Sequence, residues 1–230
     1  MNLEKSSFLL VRQDPPFSMN YITTTYFLDR LNTVKIINNP TSIRNISEKL
    51  YSYEFKKFMP PTIFTSRILD VINFVKKNKL TIIKPIHGHS GNNIKLLKGK
   101  INKNFLIKYL LKHGYIMCQK FLPGIVNGDK RVFIINGKVK GSISRVPRKG
   151  SFLSNLSKGG TAMVSKLSKK ERKISNLLAK KLKKEGIYFA GIDFISGKLN
   201  GDINVTSPTG LKNYFDLTGI NLAKTFWREI

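Results

Sequence analysis

Several residue types are scarce in this chain of 230 residues, and each scarcity excludes a class of protein. Cys118 is the only cysteine, so the chain can form no internal disulfide, and a reducing compartment suits it. No apolar run approaches the roughly 20 residues that a membrane-spanning helix needs, and residues 1–17 do not have the pattern of a secretory signal. We therefore expect a cytoplasmic protein without a membrane partner.

Acidic residues are also few. The chain has 13 Asp and Glu against 41 Lys and Arg, which gives a formal net charge of +28. Such an excess suggests a polyanionic partner such as nucleic acid. However, the basic residues are spread along the whole chain, and no zinc-finger spacing, RNP-like motif or basic-region heptad accompanies them. We interpret most lysines as a solvated coat and do not expect nucleic acid to be the main partner.

The composition is otherwise that of a folded protein, with 41% apolar and 10% aromatic residues. Short apolar segments that alternate with amphipathic helices predict an α+β fold with mostly antiparallel sheets. Strands over Leu80–Ile83 and Ile94–Leu97 flank a glycine-containing loop, and Asn136-Gly137 is a hairpin turn. Because a strand and not a helix follows the loop glycines, neither a Walker P-loop nor a Rossmann fingerprint fits.

Capping residues mark the starts of two predicted helices. Thr41 or Ser42 can cap a helix that runs to about Phe58. Ser168 and Glu171 form a capping box at the start of the other helix. Both helices should therefore begin at defined positions.

Two further stretches differ in character. Residues 218–229 predict a last helix at the end of the chain. The stretch 147–166 is rich in Gly, Ser and Lys and is long for a structureless loop in a compact domain. We expect this stretch to be functional or mobile.

Asp193, Asp202 and Asn204 form the first candidate site. Asp202 and Asn204 lie two residues apart on one predicted strand, so their side chains share a face of the sheet. Pairing within a hairpin would bring Asp193 beside that face. Three oxygen donors of this kind suit Mg²⁺. The alternative is that Asp202 and Asn204 are ordinary turn and strand-edge residues, and spacing alone does not decide between the two.

Basic residues supply the second candidate site. Lys84 ends a predicted strand just before the glycine-containing loop, where a cation and free backbone N–H groups can meet phosphate oxygens. Lys49 can add a second cation, and Arg131 and Arg145 lie on the strands that flank the predicted hairpin turn. The alternative for any one of them is a solvated surface side chain.

Two other features have a plain interpretation beside a functional one. The strand over 117–123 is either an adenine-binding wall or an ordinary core strand. His87 and His89 flank Gly88, but no cysteine accompanies them, so a plain loop is favoured over a metal site. The residues alone thus predict an enzyme that binds phosphate and Mg²⁺, and they do not identify its reaction.

A series of short segments in one order along the chain carries a further signal. Arg12-Gln-Asp-Pro-Pro-Phe17 and the Asn-Val-Thr-Ser-Pro-Thr of 204–209 are fairly specific, and the others are weak one by one. The others are Tyr26–Arg30, Asn38–Arg44, Glu48–Leu50, Ile83–Pro85, Gln119–Pro123, Gly128–Val132, Arg145–Pro147, Asn155–Leu156 with Gly159–Gly160, and Gly191–Asp193. Together, over nearly the whole chain, they resemble the prokaryotic glutathione synthetases of the ATP-grasp superfamily.

The resemblance implies an ATP-grasp fold, in which two α+β lobes with largely antiparallel sheets clamp ATP. It assigns 1–40 to a remnant of a Rossmann-like N-terminal domain, 41–120 to the first lobe and 121–230 to the second, with a lid over 147–166. The implied reaction joins γ-glutamylcysteine to glycine and gives glutathione, ADP and phosphate through an acyl phosphate. The implied cofactors are ATP and Mg²⁺ or Mn²⁺.

The resemblance also implies roles for single residues. The implied nucleotide-binding residues are Lys49, Lys84, Gly88, Gly91, Gln119, Lys120, Phe121, Leu122 and Asp129. The implied substrate-binding residues are Asn155, Gly159, Gly160, Ser207 and Thr209, and the implied metal ligands are Asp193, Asp202 and Asn204. Arg131 and Arg145 are the implied catalytic residues, which balance charge on the acyl phosphate and on its tetrahedral successor.

The chain departs from the family pattern in three ways. Asp202 stands where the family usually has Glu, and Leu153 stands where many members have Arg. We expect only the last strand and helix of the N-terminal domain, so turnover could be reduced or could depend on a missing N-terminal segment or on a homo-oligomer. A ligase with other substrates and a non-catalytic polyanion-binding derivative are the alternatives.

Overall fold

The N-terminal part of the molecule is a parallel pair of strands with two helices. The computed structural model describes residues 3–99 and 101–230. After a short 3₁₀ helix (Leu3–Lys5), the elements are β1 (Phe8–Leu10), α1 (Met19–Leu28), β2 (Lys35–Ile37) and α2 (Pro40–Asn45). β1 pairs with β2 in parallel. A small core of Val11, Tyr21, Leu28 and Ile43 holds these elements together.

The helix expected to start at Thr41 or Ser42 starts earlier. Asn39 is the N-cap, because its side-chain oxygen accepts a hydrogen bond from the backbone N–H of Ser42 at 2.9 Å. Pro40 occupies the first turn, where its missing N–H costs nothing. The predicted cap was therefore wrong by two or three residues.

The predicted length of that helix was also wrong. α2 ends at Asn45, and a separate 3₁₀ helix covers Tyr51–Phe58. Between them the chain is held by another element, since the backbone N–H of Ile203 donates to the C=O of Glu48 at 3.0 Å. This tertiary hydrogen bond interrupts a stretch that local propensity would make helical.

A four-stranded antiparallel sheet with two helices forms the next part of the fold. Its elements are β3 (Thr62–Thr65), α3 (Ile68–Asn78), β4 (Leu80–Pro85), β5 (Lys95–Lys98), α4 (Lys103–His113) and β6 (Ile116–Lys120), and the strand order is β3-β6-β4-β5. Val71 of α3 and Leu106 of α4 pack in one core with Ile83 and Ile116 of the sheet. The hairpin predicted around the glycine-containing loop is confirmed, because β4 pairs with β5 in antiparallel register.

The larger sheet has five antiparallel strands in the order β11-β10-β7-β8-β9. The elements are β7 (Asp129–Ile135), β8 (Lys138–Val146), β9 (Thr161–Val164), α5 (Lys169–Lys184), β10 (Phe189–Ile195), β11 (Lys198–Asn204), α6 (Leu211–Thr218) and α7 (Leu222–Arg228). Along β7, Val132 and Ile134 pack in a core with α5, whereas Phe133 and Ile135 pack with α6 and α7. Burial of both faces fixes the register, since a slip of one residue would exchange the two sets.

Two local predictions in this sheet are confirmed. Asn136 and Gly137 join β7 to β8 with φ of 49° and 71°, the left-handed region that this hairpin turn requires. The capping box of α5 is present, because Ser168 Oγ accepts from the N–H of Glu171 at 3.2 Å and the Glu171 carboxylate accepts from the N–H of Ser168 at 2.8 Å. Both signals are local, which is why the sequence carries them.

The structure places defined elements in both 147–166 and 218–229. The first stretch is not structureless, because β9 lies within it and pairs with β8. The helix predicted near 218–229 is confirmed as α7 (Leu222–Arg228), which starts a few residues late because Gly219, with φ of 71°, ends α6 just after Thr218. A glycine in the left-handed region ends a helix readily.

The sheets can be compared with the predicted segments 1–40, 41–120 and 121–230. The parallel pair lies in the first, the four-stranded sheet in the second and the five-stranded sheet in the third. The segment boundaries themselves stay a prediction, whereas the α+β class with antiparallel sheets is confirmed.

The helices over 3–99 and 101–230 are short. α5 has 16 residues, and its exposed side is mainly Lys and Arg. Within these ranges no helix combines the length and the apolar character that crossing a membrane would take.

Candidate active site

A cavity of about 490 Å³ lies between the two antiparallel sheets. β4 and β6 contribute to its wall from one sheet, and β7, β8, β10 and β11 contribute from the other. The predicted site residues that line it are Lys49, Lys84, Gly88, Gly91, Gln119, Lys120, Phe121, Leu122, Asp129, Arg131, Arg145, Asn155, Asp193, Asp202, Asn204, Ser207 and Thr209. Gly159 and Gly160 are not part of the lining.

Two arginines and two aspartates form a buried network in the cavity wall, which we call the arginine–aspartate network. Arg131 holds Asp193 through two hydrogen bonds, one from Nη2 to Oδ2 at 2.8 Å and one from Nε to Oδ1. Arg145 Nη2 donates to the same Asp193 Oδ2 at 2.7 Å, and Arg145 Nε donates to Asp129 Oδ1 at 2.8 Å. None of the four side chains belongs to a residue more than 5% exposed.

Strand order creates this network. β10 lies beside β7, so Asp193 is the cross-strand partner of Arg131, and β8 lies on the other side of β7, so Arg145 is the partner of Asp129. The charges of two arginines and two aspartates cancel. Fork-shaped guanidinium groups suit such paired, bidentate contacts.

The network shifts the pKa values of its members in opposite directions. Burial would raise the pKa of Asp193, but Arg131 and Arg145 outweigh burial and lower it to about 2. Burial raises the pKa of Asp129, whose carboxylate has Arg145 as its one hydrogen-bonded partner among the described residues. Burial alone would lower the pKa of Arg145, but Asp193 and Asp129 outweigh it and raise that pKa. Asp193 is therefore held as a carboxylate by two cations.

A second group of charges, the lysine–aspartate cluster, joins the two sheets. Lys84 of β4 donates from Nζ to Asp202 Oδ2 on β11 at 3.1 Å and to the C=O of Asn200 at 3.2 Å. Lys49 Nζ lies 3.6 Å from Asp202 Oδ1 and donates to the C=O of Gly88 at 2.6 Å. Burial would raise the pKa of Asp202, but Lys84 and Lys49 outweigh it and lower the pKa. Two lysines against one aspartate leave this cluster with an excess positive charge.

An apolar wall forms another part of the cavity lining. Ile82, Leu122, Ile125 and Ile195 contribute to it. The backbone of the adjoining 119–122 segment is tied to the sheet, since the N–H of Lys120 donates to Pro61 and the N–H of Phe121 donates to Leu80, at 2.9 and 3.0 Å. A flat apolar group can therefore lie against a rigid surface here.

Two sequence models of one family cover most of the chain. The family described as "Prokaryotic glutathione synthetase, ATP-grasp domain" matches residues 48–219, and "Prokaryotic glutathione synthetase, N-terminal domain" matches residues 1–44. The chain belongs to the prokaryotic glutathione synthetase family. The resemblance inferred from the ordered sequence segments is thereby confirmed.

Curated glutathione synthetases agree with this assignment. The chain is 38% identical to that of Rhodopseudomonas palustris over 236 aligned positions, which cover all of this chain and 74% of the relative. It is 40% identical to that of Prochlorococcus marinus subsp. pastoris over 215 positions, which cover 91% of this chain and 70% of the relative. The chain thus spans about three quarters of the length of these relatives.

Solved structures confirm the ATP-grasp fold. The D-alanine–D-alanine ligase of Bacillus anthracis, solved in complex with ATP, superposes with a TM-score of 0.68 at 15% identity, and the match covers 96% of this chain and 76% of the ligase chain. The ATP-grasp ligase PsnB, complexed with a minimal precursor, gives a TM-score of 0.69 at 16% identity, and the match covers 96% of this chain and 78% of the PsnB chain. At such identities the likeness is one of fold.

The three predicted metal ligands of this glutathione synthetase family member all offer oxygen atoms. Oxygen donors fit Mg²⁺ or Mn²⁺. Each of these side chains also accepts a hydrogen bond within the protein. Asp193 accepts from arginines, Asp202 accepts from Lys84, and Asn204 Oδ1 accepts from the N–H of Ser207 at 3.0 Å. The donor chemistry fits a hard cation, and the ligand set stays a prediction.

The glycine-containing loop approaches the predicted lid closely. A Cβ atom at Gly91, which has a φ of +72°, would lie 2.6 Å from Oδ1 of Asn155. Gly160 packs closely against the same stretch, since a Cβ there would lie 2.2 Å from the carbonyl oxygen of Ser154. Gly159 and Gly160 therefore shape the 147–166 stretch without lining the cavity, whereas Asn155 of the same stretch lines it.

The predicted substrate residues Ser207 and Thr209 lie at one end of the cavity beside the N-terminal segment. Ser207 Oγ donates to the C=O of Gln13 at 2.8 Å, and Arg12 Nη2 donates to the C=O of Pro208 at 3.1 Å. These two hydrogen bonds tie the segment before α1 to the loop after β11.

Glu48 and Asn200 are among the polar residues of the cavity wall that sequence reasoning missed. Asn200 continues the alternation of Asp202 and Asn204 along β11, so a period-2 pattern extended by one step would have found it. Glu48 lies in the segment between α2 and the 3₁₀ helix over Tyr51–Phe58. Its position depends on the tertiary contact to Ile203, and no local signal could have found it.

Proposed function

We propose that this chain is an ATP-dependent ligase that joins γ-glutamylcysteine to glycine and releases glutathione, ADP and phosphate. Family membership supports the substrates. The observation that carries the proposal is the convergence of Lys84, Lys49, Arg131 and Arg145 on one cavity between the two sheets. A cavity with four buried cations and an apolar wall suits a nucleoside triphosphate and an anionic intermediate.

The lysine–aspartate cluster supports the phosphate-binding part of the proposal. Lys84 and Lys49 are nearly completely buried, and their excess charge faces the cavity. We assign them to the triphosphate. A buried cation that is only partly neutralised gains more from an anionic ligand than an exposed lysine does, because water screens it less.

The arginine–aspartate network supports the catalytic part. Transfer of the γ-phosphoryl group to the cysteinyl carboxylate gives an acyl phosphate, and attack by the amine nitrogen gives a tetrahedral oxyanion before phosphate leaves. Arg131 and Arg145 are held by Asp193 and Asp129, so they need no reorganisation when this charge develops. We assign them to stabilisation of these two species.

The remaining assignments rest on the same cavity. The 119–122 segment and Asp129 are assigned to the nucleotide, and Asn155, Ser207 and Thr209 to the other substrates. Asp193, Asp202 and Asn204 would hold Mg²⁺ or Mn²⁺, which when bound would screen the phosphate charges during transfer.

Two wider assignments complete the proposal. We assign a water-excluding lid to 147–166. A cytoplasmic location suits a chain whose one thiol, Cys118, is buried and has its pKa raised by burial to about 12, which keeps it unreactive.

One assay tests the proposal. The purified chain is incubated with Mg²⁺-ATP, γ-glutamylcysteine and glycine, and ADP and glutathione are measured separately. We expect both products in equal amounts, and neither without the divalent cation. If ADP were released only with a different carboxylate and a different amine, the proposed substrates would be wrong. If the chain bound nucleic acid in a salt-sensitive way and did not bind ATP, the proposed ligase activity would be wrong.

A further inference from the structure

Glu48 differs from the other carboxylates of the cavity wall. Asp129, Asp193 and Asp202 each accept hydrogen bonds from arginine or lysine, and Asp14 is exposed to solvent. Glu48 is half-buried, lines the cavity, and has neither a side-chain hydrogen bond nor an ion pair with any residue in 3–99 or 101–230. A carboxylate in a cavity wall without a cationic partner is costly unless a ligand supplies one.

The position of Glu48 is fixed by the backbone. Its C=O accepts the N–H of Ile203 at 3.0 Å, which places the residue beside β11 between Asp202 and Asn204. The neighbouring Lys49 points its ammonium group to Gly88 and Asp202. The lysine next in sequence therefore does not neutralise Glu48 by direct contact.

The charges around Glu48 are mixed. Lys49 and Arg131 are the cations within electrostatic range, and Asp202 and Asp193 are the anions. Burial raises the pKa of Glu48, and the two cations do not outweigh burial. Both cations contact those anions and not Glu48, since Lys49 lies beside Asp202 and Arg131 pairs with Asp193.

We infer that Glu48 binds the ammonium group of the amine substrate. This inference rests on the proposed function, which requires one substrate that arrives as a cation. The proposed metal ion already has oxygen ligands in Asp193, Asp202 and Asn204. ATP and the acyl phosphate bring anionic groups to the cavity, which the lysines and arginines would bind. The amine substrate carries an ammonium group at neutral pH, and a carboxylate is its natural partner.

Comparison of two nucleophiles tests the inference. Glycine is positively charged at its amino group, whereas hydroxylamine is mostly uncharged at neutral pH and traps the acyl phosphate as a hydroxamate. Glu48→Gln keeps the shape of the side chain and removes the charge. We expect the KM for glycine to rise by about tenfold or more, because a charge-assisted hydrogen bond is lost, with the KM for ATP and the hydroxylamine rate within about threefold of wild type.

Two further variants complete the test. Glu54→Gln removes an exposed carboxylate that pairs with Lys181 and should leave all three parameters unchanged. Glu48→Asp keeps the charge on a shorter side chain and should give an intermediate KM for glycine. An unchanged KM for glycine in Glu48→Gln would overturn the inference, and so would an equal loss with both nucleophiles, which would indicate a structural role.

The failure of the inference differs from the failure of the proposed function. Wild-type protein that forms no glutathione would contradict the proposed function, and the inference with it. Wild-type protein that forms glutathione, together with a Glu48→Gln variant whose KM for glycine is unchanged, would contradict the role of Glu48 alone.

Discussion

The two charged groups in the cavity wall differ in what holds them in place. The arginine–aspartate network lies within one sheet, and its contacts follow from the register of neighbouring strands. The lysine–aspartate cluster spans two sheets, because Lys84 is on β4 and Asp202 is on β11. The first has balanced charges, and the second has an excess positive charge.

This difference separates two tasks. Side chains fixed by sheet register are preorganised, which suits stabilisation of charge that exists only during the reaction. Side chains that bridge two sheets depend on how the sheets are arranged, which suits groups that bind a ligand between them. We therefore expect loss of the network to affect mainly folding and catalysis, and loss of the cluster to affect mainly binding.

The largest effect is expected for Arg145→Ala. Removal of Arg145 leaves Asp129 without its hydrogen-bonded partner and leaves Asp193 with Arg131 alone. Breaking a buried ion pair in this way costs about 3–5 kcal/mol. Urea unfolding monitored by circular dichroism would measure the free energy of unfolding.

Arg148→Ala is the matched control for that prediction. Arg148 is exposed, and within 3–99 and 101–230 its side chain makes a single long hydrogen bond, from Nε to the C=O of Gly159 at 3.3 Å. Its removal should change the free energy of unfolding by less than about 0.5 kcal/mol. Equal effects of the two substitutions would show that the network does not stabilise the sheet.

The next largest effect is expected for Lys84→Ala, and it concerns ATP. Asp202 keeps Lys49 as a partner, so the free protein should remain folded. We expect ATP affinity to fall by about 100-fold, since a buried charge-assisted contact to phosphate is lost. Thermal unfolding with and without Mg²⁺-ATP would measure this, and the stabilisation by ATP should disappear.

Lys95→Ala is the matched control, because it removes a lysine from the same sheet but outside the cavity. Lys95 is exposed on β5, the strand paired with β4. The ATP-dependent shift in Tm should equal that of wild type. A normal shift in Lys84→Ala would instead remove Lys84 from the nucleotide site.

The sequence predicted the parts of this site that local patterns encode. Hairpin signals and the period-2 spacing of Asp202 and Asn204 indicated which side chains share a face, and both hairpins are present. The ordered segments identified the family, although each was weak alone. The α+β class followed from the alternation of strands and helices.

The sequence could not predict contacts that depend on strand order. β10 pairs with β7 across a long stretch of chain, so the contact of Asp193 with Arg131 has no local signal. The interruption at Glu48 likewise results from a hydrogen bond to Ile203, far along the chain. Tertiary contacts of this kind override local helix propensity.

The smallest of these effects is a dependence of the free energy of unfolding on pH, which we expect for Asp193 and not for an exposed carboxylate. In the folded protein the pKa of Asp193 is about 2, below the roughly 3.9 of an unfolded aspartate. Its contribution to stability is therefore present above about pH 4 and is lost as the pH falls toward about 2. The loss should amount to about 2 kcal/mol in the free energy of unfolding.

Urea titrations at several pH values between about 4 and 2 would measure this loss. Asp193→Asn should be less stable than wild type at pH 4 but should lose less stability on acidification, because the residue no longer binds a proton. Asp216→Asn removes an exposed carboxylate paired with Lys212 and should follow the wild-type slope. If the stability of Asp193→Asn fell with pH as steeply as that of wild type, the ionisation of Asp193 would not be the cause of the acid dependence. The proposed difference between the arginine–aspartate network and the lysine–aspartate cluster would then be wrong.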